Sequence, residues 1–337
     1  MISDGEAHAD LTDFFGRKLN YVRISVTDRC NYRCRYCMPK DGVEWIPHDR
    51  IMTYEDIFFL IRVLRELGVE KARFTGGEPL VRRGMVSFLS DVRASFPGLR
   101  VALTTNGSTL SLHAPELVRM GLSSINVSLD TLDAEKFAFM TRGASLGTVL
   151  GGLEALLDAG ALSAGTDVKM NAVLIRGFND GEAGGLIDFA RRLGIVLRFI
   201  EFMPLDRTLW SEESFIPFHE ILTGLPDASE WRPEASGPVA PAGPARYYVN
   251  GVTGQRIGVI AAVSEHFCAS CNRLRVTSTG ELRACLFSNE QVSIFGPLRA
   301  RDEAALRERL FEAAVLKPEA GMGLNRNEER RMSMIGG

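Results

Sequence analysis

The segment YVRISVTDRCNYRCRYCMPK, residues 21–40, joins a predicted β-strand to a loop that carries Cys30, Cys34 and Cys37. Apolar and polar residues alternate in its first part, as in a strand with one apolar and one polar face, and Arg23 lies on the polar face. Three cysteines at the spacing C-x3-C-x2-C predict a metal site. Because protein metal sites usually have four ligands, three thiolates leave one position for an outside ligand.

The first 205 residues alternate strand signals with helix signals. Residues 53–67 carry apolar side chains at helical spacing behind a Thr–Asp capping box, and residues 146–160 show a second stripe of the same period. Strand–helix alternation predicts a parallel sheet or barrel, and six units fall short of the eight in a closed barrel. We therefore predict an α/β fold, a partial (open) six-unit β/α barrel with strands at 21–28, 72–75, 100–105, 124–130, 167–174 and 196–203.

Polar side chains occupy one face of several predicted strands. Arg23, Asn126 and Lys169 each alternate with apolar neighbours. Because helices cover the outside of a β/α barrel, these polar faces should point inward and form a wet, partly cationic cavity. The alternative is an antiparallel-type sheet with one solvated face, which the intervening helices disfavour. TGGEP (75–79) and TTNG (104–107) follow strand ends, where parallel α/β folds bind their ligands.

Composition argues against some classes of protein. The formal net charge of −3 over 337 residues argues against general nucleic-acid binding, which needs an excess of Lys and Arg. No apolar run approaches the ~20 residues of a membrane helix, and the acidic start MISDGEAHADLTDFF lacks the basic and apolar parts of a signal peptide. We therefore expect a cytoplasmic protein without nucleic-acid or membrane partners. Disulfides are rare in that reducing compartment, so the cysteines are expected to bind metal.

A second trio, Cys268, Cys271 and Cys285, accounts for the rest of the six cysteines. Thiolates hold iron–sulfur clusters, and three of them on a four-iron cluster leave one iron open to an outside ligand. The alternative is zinc bound by three cysteines and one histidine, with His48 completing the first trio and His266 the second. The residues alone leave both metals open.

The strand–helix pattern weakens after Met203. Residues 225–246 are rich in Pro, Gly and Ala and are predicted to form a loop or linker, whereas residues 295–316 are predicted to form a charged helix. We predict a partial β/α barrel over residues 10–215 and a C-terminal substrate-cluster region over residues 216–337.

The cysteine spacing after a first barrel strand, with an aromatic residue before the last cysteine and a later GGEP, resembles the radical S-adenosylmethionine enzymes. RFTGGEPLVR, TTNG, INVSLDTLD, LRFIEFMP, FCASCNRLRVTSTGELRACLF and the terminal IGG occur in the order typical of the GTP 3',8-cyclase family, and the resemblance covers nearly the whole chain. It implies that the first cluster binds S-adenosylmethionine, whose reductive cleavage yields a 5'-deoxyadenosyl radical. It also implies that the second trio holds a [4Fe–4S] cluster whose open iron binds the guanine of GTP.

The resemblance carries functional positions over residue by residue. The implied ligands of the two [4Fe–4S] clusters are Cys30, Cys34, Cys37, Cys268, Cys271 and Cys285. The implied contacts to S-adenosylmethionine are Tyr36, Gly77, Ser128 and Met203, and those to GTP are Arg23, Arg73, Thr104, Lys169, Arg273, Leu274 and Arg275. The implied catalytic positions are Arg23, Arg273, Arg275 and the tail residues Gly336 and Gly337, for which a disordered terminus is the common alternative.

The implied function is that of a lyase that converts GTP to (8S)-3',8-cyclo-7,8-dihydroguanosine 5'-triphosphate, the first step of molybdenum cofactor (molybdopterin) biosynthesis. The implied partners are GTP, an external electron donor, cyclic pyranopterin monophosphate synthase as the next enzyme, and a second copy in a homodimer. One rival is a radical enzyme for another substrate, such as a peptide, which would need a fully thiolate-ligated second cluster. The other is a zinc-stabilised nucleic-acid-binding module, which the acidic balance disfavours.

Overall fold

The computed structural model describes residues 10–205, 210–234 and 243–321. Its centre is a run of six parallel strands that pair in sequence order. They are β1 (Tyr21–Ser25), β2 (Lys71–Thr75), β3 (Arg100–Thr105), β4 (Ser124–Ser128), β5 (Asp167–Leu174) and β6 (Val196–Glu201). The six predicted strands are therefore present, although the first, fourth and sixth end earlier than the sequence pattern predicts.

Helices connect these strands and cover the apolar side of the sheet. They are α1 (Tyr54–Glu66), α2 (Met85–Ser95), α3 (Leu110–Arg119), α4 (Ala134–Thr141), α5 (Leu146–Asp158) and α6 (Ala183–Arg192). The predicted capping box of α1 is present: Asp56 N donates to Thr53 Oγ1 at 3.2 Å, and Thr53 N donates to Asp56 Oδ2 at 2.8 Å. Leu60, Ile61 and Leu64 of this helix are buried in the core against the sheet.

The later part of the chain extends the sheet at both edges. At one edge β10 (Arg273–Val276) pairs parallel with β1, followed by β11 (Glu281–Arg283) and β12 (Val292–Ser293). At the other, β9 (Arg256–Ile260) pairs parallel with β6, followed by β8 (Arg246–Asn250) and β7 (Trp231–Pro233). The described residues thus form one twelve-stranded open sheet. This confirms the predicted α/β fold with a partial barrel, and the division at residues 215/216 stays a prediction.

Two local predictions are wrong. The predicted linker over 225–246 contains β7 and the first residue of β8, since residues 231–233 pair with residues 248–250 at the sheet edge. The predicted helix over 295–316 is split into α8 (Phe295–Ala300) and α9 (Glu303–Val315). Arg301 lies between them in the left-handed conformation, with φ of 54°, and the side chain of Asp302 caps α9 by accepting from Ala305 N at 3.0 Å.

The remaining helix, α7 (Phe218–Thr223), packs beside the end of β6. Across the described ranges, every helix is too short or too polar to span a bilayer.

Candidate active site

A cavity of about 290 Å³ lies on the polar face of the sheet. It extends from Tyr21 and Lys71, at the beginnings of β1 and β2, to Ser128 at the end of β4 and Met203 beyond β6. Both cysteine trios line it. Its wall includes these residues singled out from the sequence: Arg23, Cys30, Cys34, Tyr36, Cys37, Arg73, Gly77, Thr104, Ser128, Met203, Cys268, Cys271, Arg273, Arg275 and Cys285.

Two predicted positions within the described residues, Lys169 and Leu274, are not part of this wall. Lys169 is buried on β5 beside the cavity, where its Nζ contacts a carboxylate oxygen of Asp167. Leu274 of β10 is 1% exposed and belongs to the hydrophobic core. Gly336 and Gly337 lie outside the described residues. The roles assigned to all of these positions stay predictions.

The first cysteine trio lies in the loop after β1, held by a turn and by the neighbouring GGEP segment. Cys37 N and Met38 N both donate to the Cys34 carbonyl oxygen, at 3.0 and 2.9 Å. Gly77 N donates to Thr27 O and Glu78 N to Arg29 O, each at 2.8 Å, which ties GGEP to the chain just before Cys30. A Cβ on Gly77 would lie 2.2 Å from Arg29 O, so this close approach requires glycine.

The carboxylate of Glu78 anchors the same segment from inside. It is fully buried and accepts hydrogen bonds from Leu80 N at 3.0 Å, Thr105 Oγ1 at 2.8 Å and Asn106 N at 2.6 Å. Burial raises the pKa of Glu78 to about 7, against the opposing effect of these donors. Glu78 therefore joins GGEP to the TTNG segment after β3.

The second trio is spread over a short helical turn, Cys268–Ser270, and the loops on either side of β10 and β11. Backbone N–H groups donate to two of the sulfurs: Gly321 N to Cys268 Sγ at 3.3 Å and Phe287 N to Cys285 Sγ at 3.4 Å. Burial raises the pKa of Cys271, but the positive charges of Arg273 and Lys317 outweigh this effect and lower the pKa to about 6. A thiol with a lowered pKa, among N–H donors to sulfur, suits ligation of an iron–sulfur cluster.

The histidines of the zinc alternative have other neighbours. His48 Nε2 lies 3.0 Å from Arg29 Nη2, and His266 Nδ1 lies 3.4 Å from the Ala262 carbonyl oxygen. Within residues 10–205, 210–234 and 243–321, no three His, Cys, Asp or Glu side chains are grouped to hold a single metal ion. In a cluster, each cysteine binds a different iron atom, so its ligands stand further apart than those of one zinc ion.

Cationic side chains on neighbouring strands form a row across the cavity, which we call the cationic row. Its members are Arg275, Arg23, Arg73, Lys71 and Arg198. Arg23 of β1 lies level with Arg275 of β10 on one side and with Arg73 of β2 on the other. Arg73 is held in place by four hydrogen bonds. Its Nε donates to Tyr21 Oη at 2.8 Å, its Nη1 to Leu103 O at 2.7 Å and to Thr104 Oγ1 at 3.2 Å, and its Nη2 to Ser124 Oγ at 2.7 Å. Burial raises the pKa of Tyr21, but the positive charges of Arg73, Arg23 and Lys71 outweigh this effect and lower the pKa to about 7.

Two cations of this row, Lys71 and Arg198, are not among the residues singled out from the sequence. Burial lowers the pKa of Lys71 to about 8, and Arg198 Nε donates to Asn171 Oδ1 at 2.9 Å. For both residues, strand alternation could have predicted a side chain on the polar face. Arg198 has the parity of the polar face of β6, and Lys71 has that of Arg73 but lies one residue before the predicted strand.

Comparison with known proteins agrees with this architecture. The Radical SAM superfamily model matches residues 24–190, and the model of Molybdenum Cofactor Synthesis C matches residues 195–322. The chain is 44% identical over 336 residues to the GTP 3',8-cyclase of Geobacter sulfurreducens, covering 97% of this chain and 100% of that protein. The chain belongs to the GTP 3',8-cyclase family. A second relative, the GTP 3',8-cyclase of Pelotomaculum thermopropionicum, is 40% identical with the same coverage.

A solved structure shows the same fold at much lower identity. Native anSMEcpe with bound AdoMet superimposes with a TM-score of 0.57 at 16% identity, covering 87% of this chain and 80% of that one. Family membership confirms the predicted family and makes the chain a radical S-adenosylmethionine enzyme of molybdenum cofactor biosynthesis. Its cofactors therefore include S-adenosylmethionine and a [4Fe–4S] cluster.

Proposed function

We propose that this chain converts GTP to (8S)-3',8-cyclo-7,8-dihydroguanosine 5'-triphosphate. The observation that carries the proposal is one cavity lined both by two cysteine trios and by a row of cations. Each trio offers three thiolates to a cluster, and the cations suit a triphosphate. The activity of the GTP 3',8-cyclase relatives, which match 97% of this chain, supports the same substrate.

The first trio would hold the cluster that binds S-adenosylmethionine, with Tyr36, Gly77, Ser128 and Met203 around that cofactor. When bound, the cluster and S-adenosylmethionine supply radical chemistry through one-electron reduction of the sulfonium. The protein's own part is to fix the cysteine loop, through the GGEP backbone hydrogen bonds, and to surround the reacting groups with buried side chains that exclude water.

The second trio would hold a second [4Fe–4S] cluster that binds the guanine of GTP. Its support is the donor set itself, since Cys268, Cys271 and Cys285 share the cavity and Cys271 is poised as a thiolate. Arg273 and Arg275 extend from β10 beside this trio, and Arg273 Nη2 lies 3.6 Å from Cys271 Sγ. They would contact the nucleotide, together with Leu274 and Thr104. The tail residues Gly336 and Gly337 would complete the site.

The cationic row would bind the triphosphate. Arg side chains offer forked, permanently charged donors to phosphate, and Lys71 and Lys169 add point charges. Arg73 is held by its hydrogen bonds to Tyr21, Leu103 and Ser124, so little of its side-chain freedom remains to be lost on binding. Removing one such partner should cost ~2–5 kcal/mol of binding, much of it from the charge left unpaired.

The same proposal extends to the partners of the reaction. Reduction of the cluster requires an external electron donor, and the cyclised nucleotide would pass to cyclic pyranopterin monophosphate synthase. Oxygen-sensitive clusters and reduced cysteines suit the cytoplasm. We also expect a homodimer, and a barrel over residues 10–215 with a substrate-cluster region over 216–337.

The test uses anaerobically reconstituted protein with S-adenosylmethionine and a strong reductant. Release of 5'-deoxyadenosine is followed by mass spectrometry with GTP, with ATP and with no nucleotide. Release that depends on GTP, with a matching cyclised nucleotide, is the expected result. Release indifferent to the nucleotide would contradict the substrate. A Cys271→Ala variant that still cyclised GTP at the parent rate would contradict the role of the second cluster.

A further inference from the structure

The backbone and side chains of residues 317–321, which we call the C-terminal strap, lie directly against the second cysteine trio. Lys317 Nζ lies 3.5 Å from Cys271 Sγ, and Gly321 N donates to Cys268 Sγ at 3.3 Å. A Cβ on Gly321 would lie only 2.5 Å from Cys285 Sγ. The strap therefore approaches the sulfurs of all three cysteines.

Lys317 is the buried side chain of the strap, with 3% of its surface exposed. Besides Cys271 Sγ, its ammonium donates to the carbonyl oxygens of Arg273 at 2.8 Å and Ala284 at 2.7 Å. Arg273 follows Cys271 by two residues, and Ala284 directly precedes Cys285. One ammonium thus joins the two arms of the chain that carry these cysteines.

The strap is also fastened from its other side. Arg17 Nη2 donates to the carbonyl oxygen of Pro318 at 2.7 Å, and Nη1 to that of Cys268 at 2.6 Å. The guanidinium is itself fixed by an ion pair from Nε to Asp13 Oδ2 at 2.5 Å. Arg17 therefore ties the strap to the loop that begins the second trio.

Charge explains why a lysine belongs in this buried position. An ammonium out of water is costly unless hydrogen bonds and a negative charge compensate it. Two carbonyl oxygens accept the hydrogen bonds, and a cluster ligated by the trio would supply the negative charge. In return, a positive charge next to a cluster favours the reduced form, which carries one more negative charge.

We propose that Lys317 is a positioning residue for the second cluster, which fixes the Cys271 and Cys285 arms and raises the reduction potential of the cluster. This inference rests on the proposed function, because it presupposes that the second trio holds a cluster. It assigns to the strap a part in the site that neither trio's spacing predicts.

The experiment isolates the second cluster by replacing Cys30, Cys34 and Cys37 with Ala in the full chain. Iron is counted per chain after anaerobic reconstitution, and the midpoint potential is measured by a redox titration followed by electron paramagnetic resonance. In this background, Lys317→Met removes the ammonium and keeps the stem, and Lys317→Arg keeps a positive charge. Lys136→Met is the matched control, because Lys136 forms its ion pair with Glu182 on the helical side of the sheet.

For Lys317→Met we expect either loss of iron or a potential lower by a tenfold change in the reduction equilibrium, about 59 mV for one electron. Lys317→Arg and Lys136→Met should keep iron content and stay near the parent potential. Equal iron content and potential in Lys317→Met and its parent would overturn the inference alone. Failure of the parent background to bind about four irons would overturn the second cluster of the proposed function, and the inference with it.

Discussion

Tyr36 Oη donates a 2.8 Å hydrogen bond to Asp130 Oδ2, which joins the first cysteine loop to the segment after β4. The other carboxylate oxygen of Asp130 accepts from Val173 N at 2.9 Å, and its carbonyl oxygen accepts from Asn179 Nδ2 at 2.7 Å. Burial raises the pKa of Asp130 to about 6 and that of Tyr36 well above its usual value. At neutral pH, Tyr36 is therefore a neutral donor to an ionised acceptor, and its ring packs edge-on against that of Phe202, with 6.3 Å between the ring centroids.

We predict that Asp130→Asn weakens binding of S-adenosylmethionine while leaving iron content intact. The asparagine amide can accept only one of the two hydrogen bonds and turns its NH2 group toward the other donor, a cost of ~1–3 kcal/mol. Equilibrium binding of S-adenosylmethionine to reconstituted, unreduced protein measures the effect. Tyr36→Phe should produce a similar loss, and the double variant should lose little more. Parent-like affinity in Asp130→Asn would show that this hydrogen bond does not position the loop.

The close contact at Gly77 predicts loss of the first cluster on substitution. In Gly77→Ala the new Cβ would meet Arg29 O at 2.2 Å and Arg29 C at 2.5 Å, and these backbone atoms precede Cys30 directly. Because neither atom can move without shifting the cysteine loop, we expect iron per chain to fall from about eight to about four after reconstitution if both clusters bind.

Gly185→Ala is the matched control for that experiment. Gly185 lies within α6, and nothing lies within 4 Å of the Cβ it would gain. Alanine in a helix should stabilise the protein by ~0.5–1 kcal/mol relative to glycine and leave iron content unchanged. A Gly77→Ala protein with the iron content of Gly185→Ala would contradict the steric argument.

The sequence predicts the parts of the fold that depend on local period. The six parallel strands and the start of α1 follow from alternation and from the Thr53–Asp56 capping box. The break between α8 and α9 could not be predicted from apolar spacing, because it depends on Arg301 adopting a left-handed conformation. β7 is short and lies beside proline-rich chain, so its pairing is decided by the sheet edge that receives it.

In the site, too, the residues that follow the period of a strand could be predicted from the sequence, and those brought together by long-range packing could not. Alternation predicts that Arg23 and Asn126 face the cavity. Applied to β6, and to the second predicted strand extended by one residue, it would also have found Arg198 and Lys71. Contacts between residues far apart in sequence have no such period. Lys317 approaches Cys271, 46 residues away in sequence, because the preceding helix α9 packs against β11 and β12.

Arg198 provides a test of the cationic row that does not depend on turnover. We predict that Arg198→Gln weakens GTP binding by ~2–5 kcal/mol, because it removes a buried charge that, under the proposed function, would face the triphosphate. Binding of S-adenosylmethionine should stay at the parent value. GTP affinity is measured anaerobically by calorimetry. Arg191→Gln is the control, because Arg191 is half-exposed and, among the described residues, forms an ion pair only with Asp188 of the same helix. An equal GTP affinity in both variants would remove Arg198 from the triphosphate site.

Lys169 predicts that GTP binding depends on pH. Burial, with Arg198 and Arg73 nearby, lowers the pKa of Lys169 to about 6, so in the free protein its amine is largely neutral above pH 7. A triphosphate beside it raises that pKa, and binding therefore takes up a proton. The affinity for GTP should fall as pH rises above about 6, and below about 6 Lys169 contributes no further change, because it is already protonated.

Proton uptake is measured directly by repeating the GTP titration at one pH in two buffers of different ionisation enthalpy. Lys71 and Tyr21, whose pKa values are lowered to about 8 and about 7 by burial and by the neighbouring arginines respectively, should add uptake of the same sign. Lys169→Met should therefore reduce the uptake at pH 7.5 without abolishing it, and Lys136→Met should leave it unchanged. Proton release on binding, or the same uptake with and without Lys169, would show that the triphosphate does not approach Lys169.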